Sequence, residues 1–72
     1  MKGIHTKEQA IFIAKLKTAR KEAGLTQEEV AQKLGYGQSA ISKIERGELR
    51  VGAVELKQFA KLYGKSIEYF LK

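Results

Sequence analysis

The chain holds few side chains that could carry out catalysis. Its 72 residues include a single histidine, His5, and neither cysteine nor aspartate. Nucleophile–base pairs and metal clusters are built from groups of these residue types. The serine hydroxyls of Ser39 and Ser42 have no histidine within reach along the sequence. We therefore expect neither an enzyme nor a metal or cofactor site, and we expect His5 to be inert within a flexible tail at residues 1–5.

The charged residues favour the binding of a polyanion. Fourteen lysines and arginines stand against eight glutamates, which gives a formal net charge of +6. A small basic domain often has nucleic acid as its partner. A lysine surface that only keeps the protein soluble would give the same composition, so charge alone leaves both interpretations open. RNA is the less favoured nucleic acid, because no aromatic stacking motif is present.

Polar side chains are concentrated in the segment QSAISKIER, residues 38–46. Only Ile41 and Ile44, three residues apart, give this segment a narrow apolar edge. A helix with so thin a buried face leaves a broad polar face for binding. Taken singly, Gln38 and Ser39 would be ordinary residues of a first helical turn, and Lys43 would be an ordinary solvated side chain. The polar face consists of Gln38, Ser39, Ser42, Lys43 and Arg46.

Glycines and apolar spacing predict the elements that carry this face. Four glycines each follow a segment of helical periodicity, where a left-handed residue often ends a helix. The predicted helices cover residues 6–23, 27–34, 38–46 and 53–63, and Ser66 caps a last short helix. No strand pattern competes with them. The fold class is therefore all-α, with residues 1–72 forming one domain. The glycines are Gly24, Gly35, Gly47 and Gly64.

The sequence also bears on location. No apolar run approaches the roughly 18 residues that a membrane-spanning helix requires. The first residues, MKGIHTKEQAIFIAK, lack the long apolar segment and cleavage site of a signal peptide. We expect a cytoplasmic protein without a membrane partner.

The second and third predicted helices have the spacing of two helices that meet at a steep angle. Val30 and Leu34 provide apolar contacts on the second helix, and Ala31 is small enough for a close crossing. Gly35 can adopt the positive φ that reverses the chain between them. The capping pattern TQEE, residues 26–29, fixes the start of the second helix.

This pattern resembles the helix-turn-helix of the Cro/phage-repressor, or XRE, family. The resemblance rests on RKEAGLTQEEVA at residues 20–31, ISKIERG at 41–47 and AKLYGKS at 60–66, and it covers about residues 16–71. It implies a five-helix, lambda-repressor-like domain whose third helix enters the major groove of double-stranded DNA. It further implies that the second helix spans the DNA backbone and that two subunits read a two-fold operator.

The resemblance assigns roles to particular residues. It implies that the start of the third helix reaches base edges. At such edges glutamine can pair with adenine, and lysine can pair with guanine. The expected base contacts are Gln38, Ser39, Ser42 and Lys43. The expected backbone contacts are Gln27, Thr26, Arg20, Arg46, Arg50 and Tyr36. Arg20 should also pair with Glu45 as a structural ion pair. The hydroxyl of Tyr36 is expected either to face solvent at the turn or to touch the DNA backbone.

The C-terminal segment leaves two interpretations open. Four apolar or aromatic residues, Ile67, Tyr69, Phe70 and Leu71, lie within five positions. They form the predicted homodimer surface, because exposed apolar patches on small domains usually mark interfaces. Alternatively, Ile67 and Phe70 close the monomer core while Tyr69 and Leu71 stay exposed.

Together these features predict a homodimeric, sequence-specific transcriptional regulator that is a repressor rather than an activator. The alternative is an antitoxin or a regulatory module whose main partner is another protein, such as a toxin.

Overall fold

The computed structural model describes residues 6–72, which form five α-helices and no strand. The helices are α1 (Lys7–Glu22), α2 (Gln27–Leu34), α3 (Gln38–Glu45), α4 (Ala53–Tyr63) and α5 (Ile67–Leu71). The predicted all-α, five-helix fold is confirmed, and the predicted bounds of α2 and α4 match the structure. The predicted α1 and α3 are slightly too long, because their end residues are caps rather than helical residues. The tail predicted at residues 1–5 lies outside the described residues.

Local hydrogen bonds explain where most of the helices begin. The hydroxyls of Thr6, Thr26 and Ser66 each accept a hydrogen bond from a backbone N–H three residues further on. At α2 the arrangement is reciprocal, since the Glu29 carboxylate accepts the Thr26 N–H at 2.8 Å. Such boxes satisfy N–H groups that a helix leaves free at its first turn. The start of α3 differs, because its N-cap is Gly37 and has no side chain to accept.

The core draws on all five helices. It includes two aromatic contacts: Phe12 of α1 meets Phe70 of α5 edge-on at 6.4 Å, and Phe59 stacks on Tyr63 within α4 at 5.8 Å. None of the helices described here is long and apolar enough to cross a membrane. The buried hydrophobic residues are Leu16, Ala19, Val30, Ala31, Ile41, Ile44, Leu56, Phe59, Ala60, Tyr63 and Phe70.

The connection between α2 and α3 has the predicted chemistry. Ala31 is buried, as expected of a small residue where α2 meets α3. Gly35 has a φ of 76°, in the left-handed region that glycine adopts without strain. The Tyr36 N–H then donates to the Ala31 carbonyl at 2.9 Å, which closes the end of α2. Three residues therefore suffice to turn the chain from one helix into the next.

The last helix packs against α1 and α4, and its four apolar residues do not share one environment. Phe70 is buried in the monomer core, and Ile67 and Tyr69 are half-buried against it. The Lys15 ammonium donates to the Tyr69 carbonyl at 3.0 Å, and the Lys15 and Lys65 ammonium groups lie 5.5 and 4.9 Å from the Tyr69 ring centroid. Leu71 alone is largely exposed, at 66%.

Candidate nucleic-acid interface

The outward face of α3 is polar and accessible. Gln38, Ser39, Lys43 and Arg46 are exposed, and Ser42 is half-buried beside them. The opposite edge of the helix holds Ile41, Ile44 and Glu45, all buried. The structure thus brings all the residues that were predicted to contact bases onto one face of a single helix.

Ser42 is held by its neighbour one turn along. The Arg46 Nη1 donates to the Ser42 Oγ at 2.9 Å. Because the hydroxyl oxygen accepts this bond, the hydroxyl proton is free to point to another acceptor. Ser42 is therefore prepared to donate a hydrogen bond outward, for example to an acceptor on the edge of a base.

The predicted ion pair between Arg20 and Glu45 is present and lies inside the domain. Arg20 Nε and Nη2 donate to the two carboxylate oxygens of Glu45 at 2.8 and 3.1 Å. A third bond runs from Arg20 Nη1 to the Leu25 carbonyl at 2.9 Å. The hydrogen bond to Glu45 raises the pKa of Arg20 above its ordinary value. With 12% of its side chain exposed, Arg20 has little surface left for a DNA phosphate.

Gln27 joins the same network, which the sequence did not reveal. Its amide Nε2 donates to Glu45 Oε1 at 3.0 Å. The buried carboxylate thus receives bonds from α1 and α2 while it sits at the end of α3. An amide nitrogen has two N–H donors, so Gln27 keeps one for a further acceptor.

Tyr36 fastens the turn to α4. Its hydroxyl donates to the Gln58 side-chain carbonyl, and its ring meets Phe59 edge-on at 6.3 Å. The pKa of Tyr36 is raised, mainly by desolvation of the phenol and to a lesser extent by the nearby negative charge of Glu55. The sequence had suggested that the hydroxyl faces solvent or touches the DNA backbone, and neither alternative included a partner on α4.

The remaining predicted backbone contacts lie apart from one another. Thr26 is exposed at the first turn of α2. Arg50 is exposed beyond α3 and lines a groove between the start of α1 and the end of α5, together with Glu8 and Lys72. The structure therefore gathers Thr26 and Gln27 at one helix start and places Arg50 in a different setting.

Two contacts escaped the sequence reasoning for different reasons. The bond from Gln27 to Glu45 joins residues 18 positions apart, and no local pattern indicates it. The ion pair between Arg46 and Glu48, by contrast, has a signal, since the two residues flank Gly47 at the end of a helix. Opposite charges on either side of a helix-ending glycine are brought close by the turn itself. No group of three histidine, cysteine or acidic residues that could hold a metal occurs within residues 6–72.

Two short helices joined by a three-residue turn, the second with an exposed polar face, define a helix-turn-helix domain. A family model described as helix-turn-helix matches residues 16–70. The chain belongs to the helix-turn-helix family of the Cro/C1, or XRE, type. This confirms the family that the motifs indicated, and with it the prediction of a binding domain rather than an enzyme.

Two curated relatives have similar sequences. The HTH-type transcriptional regulator ImmR of Bacillus subtilis is 39% identical over 57 residues, which cover 79% of this chain and 45% of ImmR. The uncharacterized HTH-type transcriptional regulator y4dJ of Sinorhizobium fredii is 40% identical over 47 residues, which cover 65% of this chain and 61% of y4dJ. The chain thus matches roughly half of the length of each relative.

Two solved structures share the fold. An XRE-family like protein from Pseudomonas syringae pv. tomato superposes with a TM-score of 0.81 at 34% identity, over 89% of this chain and 78% of that one. The DNA-binding domain of BldD superposes with a TM-score of 0.80 at 24% identity, over 96% of this chain and all of that one (100%). The second likeness concerns the fold alone.

The Arg20–Glu45 pair yields the first prediction. Replacing one partner, as in Arg20→Met or Glu45→Gln, should cost about 3–5 kcal/mol, because it breaks a largely buried charge pair. The double variant should cost less than the two single variants added together. Urea unfolding of all four proteins measures this coupling.

The exposed pair of Arg46 and Glu48 is the matched control, since it joins the same two residue types at 57% and 49% exposure. Its coupling, from Arg46→Met and Glu48→Gln, should stay below about 1 kcal/mol. Additive losses at Arg20 and Glu45 would contradict the structural role given to this pair.

Proposed function

We propose that this chain binds double-stranded DNA in a sequence-specific manner, with α3 in the major groove, and regulates transcription by doing so. The observation that carries the proposal is the polar, exposed face of α3 opposite its buried edge. The major groove is about 12 Å wide and accepts one α-helix. The family of the chain and its two relatives, both named as transcriptional regulators, support the same function.

Residues at the start and in the middle of α3 would contact the base edges directly. In a helix-turn-helix the N-terminal residues of the second helix contact base edges. Gln38 and Ser39 occupy these positions, and Lys43 lies further along the same exposed face. Ser42 contributes the hydroxyl donor that Arg46 leaves free.

Phosphate contacts are proposed at the start of α2 and at the end of α3. Free N–H groups and the helix dipole make a helix N-terminus attractive to anions. Thr26 and Gln27 stand at that terminus, and Arg46 follows α3 with its guanidinium exposed. We leave Arg20 out of this set because its guanidinium is bound within the domain, and Tyr36 because its hydroxyl is bound to Gln58.

Repression by a cytoplasmic homodimer is the specific form that we propose. Repression needs only that the operator be occupied, which a DNA-binding domain accomplishes by itself. Two copies of α3 must stand about 34–36 Å apart to enter successive major grooves. Leu71 is the exposed apolar residue of the C-terminal helix and offers a contact for the second copy, whereas Phe70 serves the core.

A protein partner, such as a toxin, is the second candidate. The observation that favours it is a groove of about 410 Å³ between the start of α1 and the end of α5, with an apolar floor of Phe12, Leu56 and Phe70. A groove that combines these apolar residues with the charged Glu8, Arg50 and Lys72 suits an amphipathic segment of another protein. The groove leaves the polar face of α3 free for DNA, but Leu71 also lines the groove, so a protein partner bound there would compete with the proposed dimer contact.

Binding to DNA should depend strongly on salt. If a dimer neutralises about six to ten phosphates, affinity should fall about 10³- to 10⁵-fold between 50 and 200 mM salt, because counterions are released on binding. The measurement is fluorescence anisotropy with a duplex selected by the protein from random sequence. An affinity that does not respond to salt would remove nucleic acid as the partner.

Gln38 should carry sequence discrimination. Gln38→Ala should lose about 1–3 kcal/mol on the selected duplex and little on random DNA, since a bidentate pair with a base would be lost. Gln9→Ala on α1 is the matched control and should change neither affinity. Equal losses on both DNAs would assign Gln38 to the backbone or to the structure of α3.

Leu71 should control assembly. Leu71→Glu should shift the protein toward monomer in sedimentation and weaken operator binding, because it places a charge in an apolar contact. Val54→Glu is the control, since Val54 is exposed to nearly the same extent, 64% against 66%. A Leu71→Glu variant that keeps its oligomeric state and its operator affinity would exclude α5 from the dimer contact.

A further inference from the structure

The backbone fixes the position of Glu48, which lies three residues after the end of α3. Gly47 has a φ of 78°, and its N–H donates to the Ile44 carbonyl at 3.0 Å. The Glu48 N–H donates to the Lys43 carbonyl at 2.8 Å. This pair of bonds is the Schellman ending of a helix, in which the residue after the glycine folds back toward the last turn. Glu48 is therefore held beside the polar face of α3.

The Glu48 carboxylate binds the guanidinium of Arg46. Nε and Nη2 of Arg46 donate to the two Glu48 oxygens at 3.1 and 3.2 Å. This parallel pair of bonds has the geometry with which an arginine also grips a phosphate. The carboxylate thus occupies the edge of Arg46 that would otherwise be offered to DNA.

We propose that Glu48 is an internal substitute for DNA phosphate on Arg46 and thereby limits the affinity of this chain for DNA. The inference rests on the proposed function, since it assumes that Arg46 meets the DNA backbone. Both side chains are about half exposed, so the pair itself is weak and a phosphate can displace the carboxylate. Each displacement breaks the pair and leaves the negative charge of Glu48 near the phosphate that replaced it.

The charges around α3 explain why the pairing of Glu48 with Arg46 would affect DNA binding. The cations on the exposed face are Lys43 and Arg46, and Glu48 neutralises one of them. Glu45, the acid within α3, is buried and already paired with Arg20, so it does not compete for the face. Glu48 is therefore the carboxylate placed to set how much positive charge this surface offers.

The test compares Glu48→Gln with Glu68→Gln, which removes an equally charged, exposed residue from α5. Both are measured with the selected duplex between 50 and 200 mM salt, in the natural chain and in an Arg46→Gln background. Glu48→Gln should raise affinity about fivefold per bound copy at low salt. The slope of log affinity against log salt should change by less than one, because Arg46 meets a phosphate in both proteins and only the cost of displacing the carboxylate is removed. Glu68→Gln should leave the affinity unchanged, and the gain should vanish in the Arg46→Gln background.

Each other result overturns the proposal in a recognisable way. A gain that persists without Arg46, or that Glu68→Gln matches, would indicate general repulsion rather than competition for one guanidinium. A loss of affinity on Glu48→Gln would mean that the carboxylate holds Arg46 ready for DNA. If the natural chain shows no salt-dependent binding to any duplex, the proposed function fails and this inference falls with it. Glu48→Ala serves as a second variant, and thermal unfolding of both confirms that the fold is retained.

Discussion

A buried carboxylate at the end of α3 constrains the rest of the domain. Glu45 is 5% exposed and receives bonds from Arg20 on α1 and Gln27 on α2. A charge removed from water at this depth is tolerated only when it is paired and hydrogen-bonded. The end of α3 can therefore lie only where both partners reach it, and three helices are fixed to one another at that point. The third bond of Arg20, to the Leu25 carbonyl, adds the connection between α1 and α2.

The same network determines which side of α3 remains available. With Ile41, Ile44 and Glu45 directed inward, helical periodicity places Gln38, Ser39 and Lys43 on the outside. Tyr63 of α4 lies beside the pair, where burial and then the charge of Glu45 raise the pKa of its phenol. The neighbourhood of Glu45 is thus closed to solvent, with its polar groups paired within the domain. A rigid inner edge of this kind presents the outer face in a fixed orientation, which reading of base edges requires.

How much could be predicted from the sequence depended on the range of the interactions. Helix starts and ends were accessible because Thr26, Ser66 and Gly35 act on groups within three or four residues of themselves. The pairing of Arg20 with Glu45 came from the family resemblance, since no local pattern relates residues so far apart. Whether Phe70 is buried could not be decided from a short apolar segment. A small rotation of such a helix about its axis changes which of its apolar residues face the core and which face solvent. The bond from Gln27 to Glu45 depends on the choice of one rotamer in the finished fold.

Two ion pairs of the same chemical type flank the end of α3, and their burial separates their roles. Glu45 and Arg20 are enclosed, so replacing either partner leaves the other charge buried and unpaired, and the arrangement is effectively fixed. Glu48 and Arg46 are solvated, so their contact is weak and can be replaced by another anion at little cost. Orientation of a reading helix benefits from the first kind of pair, because misplacement of its side chains would erode discrimination among bases. The second kind of pair would limit the strength of DNA binding under the proposal, and such a solvated contact can be altered without disturbing the fold. Under the proposed function, a change at the solvated Glu48 would therefore alter affinity for DNA, while the buried pair of Arg20 and Glu45 would keep the orientation of α3 the same.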